Sequence, residues 1–160
     1  MTSVPPIYAP RGPIARMAPP GRVLAAAIAA GCLTVLLIGA RLSPSSSGTG
    51  THTSMGLQPC QFLYRTGLPC PSCGMTTSVT FLVHGNLLAS LWVQPMGTLI
   101  GIALALIFWA AAYISLTGRP AYRLARIMPI GYYLLPLMFF AIAAWGWKIF
   151  IHWQGIDGWG

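Results

Sequence analysis

Acidic side chains are almost absent. Asp157 is the single acid in 160 residues, against nine Lys and Arg, and only 6% of the chain is charged. Soluble domains carry about 25% charged residues, so this chain falls in the membrane class on composition alone. One carboxylate also excludes whole mechanisms. No carboxylate pair exists for glycoside or aspartyl hydrolysis. No carboxylate cage can form for Mg or Ca, and no chain of intramembrane acids can relay protons. Internal repeats are absent too.

What is present is apolar and basic: 56% hydrophobic residues and a net charge of +8. The arginines do not gather as they do in nucleic-acid binders, which collect them on one face beside groove-reading partners. Arg11, Arg16 and Arg22 precede the first apolar run, and Arg119, Arg123 and Arg126 sit between the last two. Basic clusters at the ends of apolar spans are topology signals, and their natural partners are anionic lipid headgroups. The expected partner is therefore the lipid bilayer, with a membrane protein or a second copy as a further one, and no nucleic acid.

Three uncharged runs are long enough to cross hydrocarbon. They cover residues 23–40, VLAAAIAAGCLTVLLIGA, then 96–118 and 127–147. The first has a long approach and only IGA before Arg41 as a cleavage site, so it reads as an anchor and not a signal peptide. Around the spans lie a Pro-rich tail (1–22), a Ser/Gly/Thr linker (41–56), a Cys-rich segment (57–95), a basic loop (119–126) and a C-terminal tail (148–160). The three-span count puts both arginine clusters, and the N-terminus, on the cytoplasmic side of an inner membrane. A fourth span at 74–93, GMTTSVTFLVHGNLLASLWV, would bury His84, Gly85 and Asn86 at mid-membrane, where polar groups are costly. That run reads instead as two short helices, interfacial or re-entrant. The expected fold is an all-α integral membrane protein. Gly97, Gly101 and Ala105 place small residues on one face of the second span, a spacing suited to close helix packing.

The chemistry concentrates in CQFLYRTGLPCPSCGMTTSVTFLVHGN, where Cys60, Cys70 and Cys73 fall as C-x9-C-x2-C and His84 follows. Three readings stay open. A disulfide from Cys60 to Cys70 or Cys73 would staple a loop with little core of its own. That makes the chain an accessory or scaffold component of a membrane complex, more a structural part than an enzyme, with no cofactor. Alternatively, Cys70 and Cys73 serve as the exchanging pair of a membrane thiol-disulfide oxidoreductase. Thirdly, Cys60, Cys70, Cys73 and His84 form a Cys₃His zinc set.

The core GLPCPSCGMTT, with Cys60 before it and Gly85 and Pro95 after it, resembles a bacterial family of small membrane proteins, domain of unknown function 2752. The resemblance rests on Cys60, Gly67, Pro69, Cys70, Pro71, Cys73, Gly74, Met75, Thr76, Gly85 and Pro95. It implies a membrane protein and supplies no activity. Two positions depart from the family pattern. Thr77 stands where many members carry arginine, and Asn86 where they often carry an acid, so no role needing charge there is carried over.

Overall fold

The computed structural model describes residues 17–119 and 131–159. The chain is helical as expected: α1 (Pro19–Arg41), a 3-10 turn (Thr51–Met55), α2 (Gln61–Thr66), α3 (Met75–Val83), α4 (Leu87–Val93), α5 (Pro95–Thr117) and α6 (Gly131–Trp153), with no strand among the described residues. α1, α5 and α6 are long and apolar enough to cross a bilayer, which makes this a multi-pass membrane protein. Residues 1–16 and 120–130 lie outside the described residues, and with them Arg11, Arg16, Arg123 and Arg126.

α1 and α5 pack antiparallel. Pro19 opens α1 and Pro95 opens α5, in the first turns where a missing N–H leaves no bond unmade. At the far end of α5, Arg22 Nε donates to the Ser115 carbonyl at 3.0 Å and Arg22 Nη2 to Leu116 at 3.3 Å. These are last-turn carbonyls with no helical partner, so a cation is well placed on them. α6 ends at Trp153, beyond the 147 read from the sequence, and carries Lys148 within its length. The charge does not stop the helix because it is neutralised inside the fold. Lys148 Nζ lies 3.0 Å from Asp157 Oδ1, and the lysine is fully buried. The other Asp157 oxygen accepts from His152 Nδ1.

The segment 74–93 forms two short helices and no single helix of spanning length. α3 and α4 extend about 13 Å and 10 Å at 1.5 Å per residue, and the chain turns back between them. Gly85 adopts φ +83°, and the Asn86 side chain caps α4 by accepting from the Ala89 N–H at 3.0 Å. The hairpin lies along the first turns of α5. A Cβ on Gly97 would meet Ser78 Cβ at 2.9 Å and Met75 Cα at 3.1 Å, and one on Gly101 would meet Leu82 Cδ2 at 2.5 Å. Ala105, further along the same face, is only half-buried. The contact is sealed by hydroxyls. Ser90 donates to the Ser78 carbonyl at 2.8 Å, Ser78 to the Gln94 carbonyl at 2.9 Å, and the Thr98 and Ser90 hydroxyls lie 2.7 Å apart. All of these side chains are buried and paired, as a dry interface requires.

Two variants probe this packing. Gly97→Val should cost about 1–3 kcal/mol through overpacking, and Ala105→Val much less, read as thermal unfolding in detergent. Equal costs would mean that α3 does not rest on Gly97. Asp157→Asn should cost about 3 kcal/mol by stranding a buried ammonium, and adding Lys148→Met should recover most of it. An unchanged melting temperature for the single variant would show that the pair is not buried in the folded protein.

Candidate thiol site at the end of the bundle

The cysteines gather where α5 begins and α6 ends. Cys60, Cys70 and Cys73 bring their Sγ atoms within 4.8 Å of one another, the one such group of His, Cys, Asp and Glu side chains among the described residues. All three thiols are free, and Cys70 Sγ lies 3.1 Å from Cys73 Sγ. Cys73 is buried while Cys60 and Cys70 are half-buried. The backbone N–H of Cys70 reaches Cys73 Sγ at 3.3 Å, and the Ser72 hydroxyl stands 3.2 Å from Cys70 Sγ.

Neighbouring elements hold this turn by its carbonyls. Gln94 Nε2, from the junction of α4 and α5, donates to Pro71 at 3.0 Å, and Trp145 Nε1, from α6, donates to Pro69 at 2.9 Å. Gln94 is fully buried, with its Oε1 unpartnered among the described residues. Gly74 ends the turn at φ +86°, a conformation glycine adopts freely. A Cβ there would also press on the Gly48 carbonyl at 2.9 Å and on Val93 Cγ1 at 3.2 Å. On the outer side, Trp147 Nε1 donates to the Trp92 carbonyl at 2.8 Å and Trp92 Nε1 to Ile156 at 3.1 Å. These bonds tie α6 and the C-terminal tail to α4.

The thiols differ in acidity. Cys60 sits at the N-cap of α2. The Leu63 backbone N–H favours its thiolate most, with smaller help from the other two thiols and Phe62, and draws its pKa down to about 7. Burial pushes the Cys73 thiol well up, and competition with Cys70 and Cys60 pushes it further. The cluster thus combines an ionisable, accessible sulfur with one that stays protonated unless a cation or a bond takes its proton's place.

Of the residues singled out in the sequence, the three cysteines come together and His84 does not join them. His84 Nδ1 instead lies 2.8 Å from the Thr80 carbonyl at the far end of α3. Cys32 is a packing residue of α1. Of the arginines within the described residues, Arg22 and Arg119 lie at the opposite end of α5 from the thiols. Gln94, Trp145 and Lys148 went unremarked as site residues. Gln94 alone carried a signal, as a polar residue at the threshold of an apolar span. The two departures from the family pattern also find places. Thr77 is buried, its hydroxyl 2.8 Å from that of Thr51, and Asn86 is the α4 cap.

The fold and the thiol cluster define a multi-pass helical membrane protein with a three-cysteine site at one end of its bundle. Residues 60–109 match the model of a family described as a protein of unknown function, DUF2752. No curated protein and no solved structure matches the chain. The matched stretch holds all three thiols, the hairpin, Gln94 and the glycine face of α5.

In reduced, chelator-treated protein, Cys60 should be alkylated by iodoacetamide first, with half its maximal rate near pH 7, because its thiolate predominates above that value. Cys73 should react last. Peptide mass mapping that found Cys73 modified ahead of Cys60 would contradict this arrangement.

Proposed function

We propose that this chain is a membrane protein that holds one soft metal ion through the thiolates of Cys60, Cys70 and Cys73. The carrying observation is that all three sulfurs converge within 4.8 Å. A disulfide staple or an exchanging pair uses two cysteines and leaves the third without a task, whereas a metal uses every one. Zinc–thiolate bonds of about 2.3 Å in a tetrahedron set sulfurs about 3.8 Å apart, so small side-chain rotations suffice. Thiolate donors without a carboxylate select zinc or monovalent copper over magnesium or calcium. Water or a group from another protein takes any remaining position. The held carbonyls of Pro69 and Pro71 support the reading, since a metal site needs its turn positioned by surrounding bonds.

The ion then does the work of a staple, locking a loop with little core onto the bundle, which suits an accessory component of a membrane complex. The arginines that flank the opposite end, Arg22 and Arg119 with Arg11, Arg16, Arg123 and Arg126 in the sequence beside them, support a thiol end facing away from the cytoplasm. A second reading draws on the 3.1 Å approach of Cys70 and Cys73: a dithiol pair that exchanges with a partner's disulfide, with Cys60 as an auxiliary thiol.

Metal analysis of the full chain purified in detergent decides between them. The metal reading expects one ion per chain, a cobalt-substituted form with sulfur-to-metal charge-transfer absorption, and loss of the ion in Cys73→Ser. Protein isolated with two of the three cysteines in a disulfide, taking up no ion after reduction, would overturn it in favour of exchange.

A further inference from the structure

Between the 3-10 turn and the cysteine turn lies a stretch with almost no hold on the rest of the protein. From residue 53 to residue 67 every residue is exposed except Cys60 and Leu63, which are half-buried. α2 sits in the middle of it and buries no residue. Six residues are far too few for a helix to be stable on its own, because nucleation costs more than one turn of hydrogen bonds returns. Glycines bound the stretch at both ends. Gly56 and Gly67 adopt φ +79° and +70°, and nothing lies within 4 Å of where either would carry a Cβ. Each caps the helix before it in the left-handed conformation, in open space. Its polar contacts are with near neighbours in the chain: Thr53 and Ser54 bond back to Gly50 and Thr51, the Leu68 N–H donates to the Thr66 hydroxyl at 3.2 Å, and His52 Nε2 lies 3.2 Å from the Gln58 carbonyl in an exposed contact.

What does reach the bundle is the half-buried Cys60 thiol, grouped with Cys70 and Cys73. We infer that residues 56–67 form a hinged arm latched to the bundle through Cys60, so that the ion bound by the three thiols also decides whether the arm is docked. This rests on the metal reading above. Cys70 and Cys73 belong to a turn fixed by Gln94 and Trp145, and Cys60 belongs to the arm, so an ion shared among them joins a fixed part to a loose one. On binding, each ligating thiol gives its proton to water as its sulfur–metal bond forms, and no electrons are exchanged. The latch positions a surface that carries Leu57, Phe62, Tyr64 and Arg65, with Tyr64 85% exposed.

Hydrogen exchange of the full chain in detergent, read by mass spectrometry with zinc and with a chelator, tests the latch, with bound metal measured in the same samples. The reporter amides are Tyr64, bonded to the Cys60 carbonyl at 3.0 Å, and Gly67, bonded to Leu63 at 2.9 Å. With the ion, peptides covering them should exchange about tenfold more slowly, and those from α5 should not change. If the ion binds and the arm peptides exchange at the same rate in both states, the latch is wrong while the metal site stands. If no ion binds, the metal measurement shows that both have failed. A slowing that survives in Cys60→Ser would also overturn the latch, by placing the coupling elsewhere. Leu63→Ala, which leaves every thiol in place, should keep the zinc-dependent slowing; its loss there would assign docking to apolar packing and overturn the latch.

Discussion

Two side-chain N–H groups, one from Gln94 and one from Trp145, hold the carbonyls on either side of Cys70, and the cysteine turn depends on them for its place. Backbone polar groups buried beside a membrane bundle cannot rely on water, and each left unpaired costs free energy comparable to a lost hydrogen bond. Within the turn from Pro69 to Cys73, the Cys70 and Ser72 carbonyls accept from the Cys73 and Met75 N–H groups, and those of Pro69 and Pro71 take their partners from other elements. The long helices supply them. Gln94 sits where α5 starts and Trp145 about two turns before α6 ends, so docking the spans and shaping the site are one event.

The same logic runs through the rest of the segment between α1 and α5. Ser78, Ser90 and Thr98 close the seam between the hairpin and α5 with hydroxyl bonds, and Gly97 and Gly101 let α3 come near enough for those bonds to form. Lys148 meets the one acid of the chain. That pair spares α6 an unpaired charge and clamps the C-terminal tail beside Gly48, whose carbonyl also faces the lysine. Composition and fold meet here: a chain with a single carboxylate uses it where a buried ammonium would otherwise be stranded.

Against this well-tied frame the arm around α2 stands out. Its helix lacks the buried side that short helices need, and it carries one of the three thiols. On the proposed metal reading, an ion would join this arm to the fixed turn. Convergence of all three sulfurs favours an ion as that ligand, because an ion rewards three donors at once.

Much of this was legible in the residues. Uncharged runs of spanning length, each with arginine at one end or both, marked three helices fit to cross, because hydrocarbon tolerates neither charge nor unpaired backbone over such a length. His84, Gly85 and Asn86 marked the break within 74–93, since polar groups are costly at mid-membrane, and the structure turns the chain there with a left-handed glycine and a capping asparagine. The cysteine spacing pointed to a thiol site. The sequence grouped Cys60, Cys70, Cys73 and His84 and could not sort them: His84 caps α3 at its far end, while Cys60, ten residues before Cys70, comes back to it. The reach of α6 past Lys148 was equally hidden. A lysine reads as the end of a span unless its counter-ion is known, and Asp157 becomes that counter-ion only when the tail folds back. Local patterning determined the elements, and long-range pairing of a few polar groups decided the site.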